Sequence, residues 1–507
     1  MNLPTISKPF VRFIAIRALM ALLLFMTLAA WAMSSAVGGS PDEGFVLTSI
    51  WCDKTRDTPF CQHDPENPDL AIVPVMVYGP FSCYLGQGQD YSAGCQESIR
   101  YSEGASVYNT ASLYPDRYFD ITRRLVGADV EESVVKIRLF NSFIAAVMIL
   151  SALSLDRKRD LDWLITLLAV LAPVTTYFIS SVNTSSWLLI GTISFVIAFS
   201  SAIRNPKKIL MLLPAGAITI FSYWLANSSR HESKFILLSL AAMAIYYEFL
   251  HINLRPRRIA VLVIGPILIF MYVLLEYVQK VHGDLNIFDN QIYETRETLT
   301  LTTNDLLFSN FINLPKFIMG FFGGWGLGWF EIELTVIVYL FSLQSFVLLA
   351  VFIFQKSRNI HRIIFVACFT FMCSAILYSN QQAKSEIGNV VQPRYFLPLF
   401  LGILLLGALN KTVRYPISIV ISVAILATIA NSISLRDTMR RYTTGQDVFS
   451  TKSLNSPREW WWNFGPQPET VWIIGSLAFA ALFALTIYER QNEEISTPKS
   501  PTAEISD

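Results

Sequence analysis

Runs of about twenty apolar residues recur along the whole chain, and this recurrence restricts the fold more than any other feature. A hydrocarbon core roughly 30 Å thick takes about 20 mostly apolar residues per helix, and only a closed backbone hydrogen-bond ladder is tolerated inside it. Twelve runs meet that requirement: 18–37, 134–154, 162–181, 186–203, 209–226, 234–251, 259–279, 334–355, 362–379, 394–409, 416–434 and 471–488. Charged residues make up only 15% of the 507, where a soluble protein carries about 25%. The expected fold is an all-α polytopic membrane protein of about twelve transmembrane helices, with the lipid bilayer as its main solvent. Its net charge of +1 gives no reason to expect a nucleic-acid partner.

Basic clusters fall regularly on one side of these runs. They are Arg157-Lys158-Arg159, Arg204 with Lys207-Lys208, Arg255 with Arg257-Arg258, Lys356 with Arg358 and Arg362, and Lys411 with Arg414. With Lys8, Arg12 and Arg17 ahead of the first run, the positive-inside bias puts both termini in the cytoplasm and the remaining loops outside. Small residues at Ser34, Ser35 and Ala36 leave a cleaved signal peptide as the alternative for the first run, which would move the N-terminus outside. That run is longer than an ordinary signal core, so retention is the expectation.

The chain then divides into 1–37, an N-terminus and first helix; 38–132, a first external loop; 133–279, helices two to seven; and 280–333, a second external loop. It continues as 334–434, helices eight to eleven; 435–470, a third external loop; 471–488, the last helix; and 489–507, a disordered cytoplasmic tail. The first loop is rich in Pro, Gly, Tyr and Asp, which suits short juxtamembrane helices lying over the bundle mouth as a lid. It holds Cys52, Cys61, Cys83 and Cys95, which in an oxidising compartment read as two disulfides. Three pairings are possible. Cys52 with Cys61 and Cys83 with Cys95 close the shortest loops, at roughly 2 to 3 kcal/mol each. Neither pair has the spacing of a structural zinc site, no histidine pair including His63 has metal-ligand spacing, and Cys368 and Cys373 read as helix packing.

Three segments carry chemistry on the loop side. Gly39-Ser40-Pro41-Asp42-Glu43-Gly44 follows the first helix, and its turn residues hold Asp42 and Glu43 at the interface, where a carboxylate serves as a general base. Gln392-Pro393-Arg394-Tyr395 opens the tenth run, and the planar fork of Arg394 suits a phosphate, although an interfacial arginine also simply snorkels. Gly323-Gly324-Trp325-Gly326-Leu327-Gly328-Trp329-Phe330-Glu331 precedes the eighth run. Trp325 and Trp329 offer flat faces for a sugar or an isoprenoid and Glu331 an acceptor, against the plainer role of an aromatic belt. Glu459-Trp460-Trp461-Trp462-Asn463 reads as belt, Glu276 as a residue facing a polar cavity, and Asn183 and Asn227-Ser228-Ser229 as loop residues.

An acidic pair after the first helix, a Gly-Trp-acidic segment before a late helix and Gln-x-Arg-Tyr-x-x-Pro at a helix entrance, taken in that order, resemble a bacterial family. It is domain-of-unknown-function family 2142, predicted membrane glycosyltransferases whose wider kin are the GT-C superfamily. The resemblance covers about Gly39 to Leu409. It implies a GT-C-like fold, a polyprenyl-phosphate sugar donor, and an inner-membrane location with the active site on the periplasmic face. It further implies Asp42 as base with Glu43 beside it, Gln392, Arg394 and Tyr395 near the donor phosphate, and Trp325, Trp329 and Glu331 along a sugar or acceptor. Glu331 stands where that family tends to carry Asp, and Pro393 where it tends to carry Gly.

The implied reaction is an inverting transfer to a glycan, lipid-linked or protein acceptor. Because the leaving phosphate already bears charge, Arg394 can stabilise it and no metal or other cofactor is expected. Two other classes stay open. A polysaccharide polymerase or ligase with a diphosphate-linked donor would use loop arginines such as Arg117, Arg123-Arg124 and Arg440-Arg441. A transporter or flippase would instead carry ionisable groups at mid-membrane.

Overall fold

The computed structural model describes residues 8–496, except 56, 157–158, 172, 205–208, 250–302, 409–412 and 447–452. Within them seven helices are long and apolar enough to cross a membrane: Val11–Met33, Val130–Leu153, Thr184–Arg204, Val336–Lys356, Asn359–Gln382, Ile417–Thr443 and Pro468–Asn492. Leu212–Asn227 and Leu397–Gly407 are shorter apolar helices. The run at 259–279, with Glu276, lies outside the described residues.

The first helix, α1 (Lys8–Met33), packs against Val130–Leu153 on one side and Pro468–Ser496 on the other. Thr184–Arg204 is buried over most of its length, gathering Ile209–Asn227, Val130–Leu153, Ser233–Phe249 and Leu397–Gly407 around it. Every residue of Leu397–Gly407 is buried. Its backbone is internally satisfied and its side chains are apolar, so a helix too short to span can sit inside a bundle without unmet polar groups.

Four features depart from the sequence reading. The run at 162–181 is two helices, Asp160–Leu171 and Val174–Ile179, interrupted at Pro173, whose ring cannot continue an α-helical ladder. The run at 416–434 continues as helix to Thr443, nine residues into the segment read as the third loop. The last helix likewise continues to Ser496, so the start of the segment read as a disordered tail is ordered. The segment read as the second loop contains the helix Thr303–Gly320, which packs along Asn359–Gln382.

The first loop forms a cap rather than a set of helices alone. After α2 (Glu43–Trp51) come three strands, β1 (Gln62–His63), β2 (Leu70–Pro74) and β3 (Glu103–Val107), in one antiparallel sheet ordered β1-β2-β3. Ala71 and Val73 alternate inward from β2 onto the core, the period-two burial of a sheet with one covered face. Among the described residues, this sheet departs from the all-helical expectation. Cys52–Cys61 and Cys83–Cys95 are disulfides, in the pairing that closes the shortest loops. Cys368 and Cys373 are free thiols within Asn359–Gln382.

One buried ion pair joins the cap to the bundle. Arg138, on the helix Val130–Leu153, is fully buried and donates to the carbonyls of Ala32, Ser35 and Ala36 at 3.2, 2.6 and 2.8 Å, capping the chain as it leaves α1. The same guanidinium grips Glu43 at 2.9 and 3.2 Å, and Trp462 lies over it at 5.8 Å. Helix ends leave carbonyls without partners, and here one side chain takes Ala32 O in the last turn and two carbonyls just beyond it.

Removing one partner of a buried ion pair costs about 3 to 5 kcal/mol, because the other charge is left uncompensated. Arg138→Met should therefore markedly lower the melting temperature in detergent, and Arg138→Met with Glu43→Gln should recover part of that loss. Equal melting of the single and double variants would show that the two residues are not energetically coupled.

Candidate functional site

Everything at the site is hung on the turn that links α1 to α2. Gly38 adopts φ +79°, and a Cβ on Gly39 would lie 2.6 Å from the Tyr442 hydroxyl, so the chain passes where side chains do not fit. Distant side chains then hold the turn's carbonyls. Trp329 Nε1 donates to Gly38 O at 3.2 Å, the Tyr177 hydroxyl to Gly39 O at 2.6 Å, and Asn183 Nδ2 to Pro41 O at 2.7 Å. Asn183, read from sequence as a loop residue, is thus a buried positioning residue.

This turn separates the two adjacent carboxylates. Asp42 takes up φ 61°, ψ 8°, a left-handed conformation costly for residues other than glycine, although Asp is among those that tolerate it. Glu43 points inward to Arg138 and also accepts from Ser40 N at 3.0 Å, with no exposure at all. Asp42 points the other way with its side chain about a third exposed. The pair read as neighbours in one active site is one accessible carboxylate and one structural clamp.

Arg394 meets Asp42 across 352 residues. Its Nη2 lies 2.5 Å from Asp42 Oδ2 and 3.2 Å from the Tyr395 hydroxyl, while Nη1 reaches Pro41 O at 3.4 Å. The guanidinium stands 5.7 Å over the Phe178 ring and 5.1 Å over the Tyr395 ring. A desolvated cation gains from aromatic faces as well as from its counter-ion. The break at Pro173 directs Phe178 to this place.

A second arginine converges on the same tyrosine. Arg230 is buried and lies 5.3 Å from the Tyr395 ring and 5.2 Å from that of Tyr114, with its fork on Glu232 at 3.0 Å and Ser185 at 3.1 Å. Burial works against its charge, but Glu232, Tyr114 and Tyr395 outweigh this and raise its pKa above the ordinary arginine value. Reading 227–229 as plain loop passed over Arg230. The available signal was an arginine next to a Ser-rich turn at the end of an apolar run.

The tryptophan segment closes the other side. A small cleft of about 20 Å³ is lined by Pro41 and Phe178, by Gly320 and residues 325–328 with Phe330, and by Gln392, Pro393 and Arg394. Phe330 is also left-handed, with φ 67°, and Pro393 sits directly on Gly320, where no side chain would fit. Gln392 Oε1 and Arg394 Nε are buried polar atoms without hydrogen-bond partners among the described residues. A bound polar group would satisfy such atoms.

The remaining candidates are placed nearby or elsewhere. Trp325 lines the cleft and donates to Lys316 O at 2.7 Å, whereas Trp329 is turned to Gly38 and packs on Phe81. Glu331 is buried behind the cleft and accepts from the Tyr442 hydroxyl at 3.0 Å. The Glu459–Asn463 segment is structural, with Trp462 donating to Met33 O and Trp461 to Pro466 O. Among the loop arginines, Arg117 and Arg124 are exposed. Arg123, Arg440 and Arg441 are committed to backbone carbonyls. No group of three His, Cys, Asp or Glu among the described residues is arranged to hold a metal ion.

Burial pushes the Glu331 carboxyl up to about 7, with hydrogen bonds only partly offsetting it. In the unfolded chain the same group ionises near 4.5. The stabilisation from holding the proton is therefore complete below about pH 4.5 and is lost as the pH rises through about 7, roughly 3 kcal/mol in all. Glu331→Gln should remove this slope. The melting temperature of the native protein should fall against that of the variant over this interval, and parallel curves would exclude the assignment.

A family profile described as "Predicted membrane protein (DUF2142)" matches residues 25–403, a span that contains Asp42, Arg230, the tryptophan segment and Arg394. No curated protein and no solved structure matches the chain. With about three quarters of its length matched, the chain belongs to the DUF2142 family of predicted membrane proteins.

Proposed function

We propose that this protein is an integral-membrane glycosyltransferase of the GT-C type. It moves a sugar from a polyprenyl-phosphate donor to a glycan, lipid-linked or protein acceptor at the periplasmic face of a bacterial inner membrane. In this reading about twelve helices span the bilayer with both termini cytoplasmic, in accord with the one-sided basic clusters. The observation that carries it is the meeting of Asp42 and Arg394, 2.5 Å apart, beside a cleft that the tryptophan segment also lines.

The resting ion pair is exchanged when donor arrives. The phosphate takes the Arg394 fork in bidentate fashion, which frees the exposed Asp42 carboxylate to face the acceptor. Asp42 accepts the acceptor's hydroxyl proton as its oxygen bonds to the anomeric carbon. The bond from that carbon to the phosphate oxygen breaks, with its electron pair leaving on polyprenyl phosphate, so the anomeric configuration inverts. The donor is a monoanionic diester and the leaving group becomes a monoester with nearly twice the charge. Fixed cations beside the phosphate therefore favour the transition state over the ground state, and the reaction requires no divalent cation.

Arg230 favours a second reading, in which two buried guanidiniums flanking Tyr395 serve a diphosphate-linked donor in a polymerase or ligase. Transfer from purified monophosphate- and diphosphate-linked donors in proteoliposomes distinguishes the two. Asp42→Asn should lower transfer by about 10²-fold or more, and Arg394→Lys should raise the donor KM while keeping residual turnover. Undiminished transfer by Asp42→Asn would overturn the base assignment, and loss of activity on chelation with recovery on Mg or Mn would overturn the metal-free scheme.

A further inference from the structure

A second cavity, of about 260 Å³, lies in the cap at the far end of α2, and nothing in the donor chemistry uses it. Its size lies just below the roughly 300 to 1,000 Å³ of drug-sized small-molecule sites. It is walled by Asp53, Asp116, Asp120, Lys54, Arg123 and Tyr108, among others.

The walls are held in place. Arg123 donates to the carbonyls of Ile50, Ser49 and Cys52 at 2.9, 3.2 and 2.6 Å, tying down the end of α2, and reaches Asp53 at 3.1 Å and Asp120 at 2.9 Å. Lys54 pairs with Asp116 at 2.8 Å, and the Cys52–Cys61 disulfide closes the rim. The Tyr108 hydroxyl is bonded to Pro68 O at 3.1 Å. Yet the Asp116 and Asp120 side chains remain 47% and 55% exposed, so carboxylate oxygens stay open to a ligand.

The charge of this cavity is opposite to that of the cleft. Three carboxylates against two cations repel a phosphate, whereas Arg394 lines the cleft and Arg230 lies behind it across Tyr395. The exposed carboxylate oxygens of Asp116 and Asp120 accept hydrogen bonds from vicinal hydroxyls or an ammonium group, beside the Tyr108 ring. Such a lining suits a neutral or amino-bearing saccharide and disfavours an acidic one.

Its position sets a distance. Asp42 caps the start of α2, and Ser49 and Cys52 at the other end line the cavity. Nine helical residues make a rigid spacer of about 13 Å, or about two to three sugar rings.

We propose that this cavity is an acceptor subsite that holds a neutral or amino sugar of a glycan chain, about two to three rings from the hydroxyl presented to Asp42. The inference rests on the glycosyl-transfer reading and narrows its acceptor to an oligosaccharide. The test is made without donor, so that binding and turnover fail independently. The full chain in lipid nanodiscs is titrated by calorimetry with gluco-, galacto-, manno-, rhamno- and glucosamine oligosaccharides of increasing length. At least one series should bind about tenfold more tightly, or better, as trisaccharide or tetrasaccharide than as monosaccharide. Asp116→Asn combined with Asp120→Asn should bring that ratio close to one at unchanged melting temperature. Absence of binding by every series up to about 10 mM, a ratio the double variant leaves intact, or saturable binding of an unglycosylated peptide in place of sugar would each overturn the proposal. Loss of the transfer reading itself would appear separately, as undiminished transfer by Asp42→Asn.

Discussion

The five residues from Gly38 to Asp42 depend on hydrogen bonds from elsewhere in the fold, and the candidate site depends on those five residues. A turn of Gly, Ser, Pro and Asp makes few hydrogen bonds of its own. Its carbonyls are taken by Trp329, Tyr177, Asn183 and Arg394, while Arg138 holds the carbonyls just before it. These donors come from four separated parts of the chain, so the turn acquires its shape only when the bundle and the cap are assembled. Asp42 then occupies a left-handed backbone state that the surrounding contacts impose, and such states concentrate where geometry serves a function.

Electrostatics follows from this placement. A buried guanidinium must be paired, and the protein solves the same problem in two ways on two adjacent carboxylates. Arg138 is matched completely by Glu43 and by carbonyls, leaving nothing for a ligand to do except at a buried Nε. Arg394 is matched by a carboxylate that still faces open space, and by aromatic rings that neither neutralise it nor fill its hydrogen-bonding capacity. The first arrangement resists exchange and the second invites it. Arg230, set across Tyr395, extends the positive region without adding an accessible carboxylate of its own, since Glu232 is already bound to it.

Much of the site was visible as residue types. Asp42, Gln392, Arg394 and Trp325 stood out because turn residues, a guanidinium and a Gly-Trp segment sat at the ends of apolar runs; the last three line one cleft, and Asp42 pairs with Arg394 beside it. Glu43 was visible as a carboxylate, but its burial against Arg138 was not. Adjacent residues at a helix start point about 100° apart, so neighbours in sequence readily enter different environments. Arg138 was readable as a charge inside an apolar run, yet only its partners distinguish a structural clamp from a ligand-binding residue. The strands of the cap escaped because two to five residues with mixed polarity give too short a pattern for period-two alternation to register.

By itself the sequence determined that this is a helical membrane protein with disulfides in a polar loop. Those conclusions rest on local quantities: the length of an apolar run, the charge beside it and the spacing of cysteines. Tertiary structure alone decided that the run at 162–181 breaks to present Phe178, that Arg230 joins Arg394 around Tyr395, and that Asp42 meets Arg394 while Glu43 faces Arg138. Each of these is set by which distant groups satisfy a buried charge or carbonyl, and such pairing has no signature in the residues that lie next to one another along the chain.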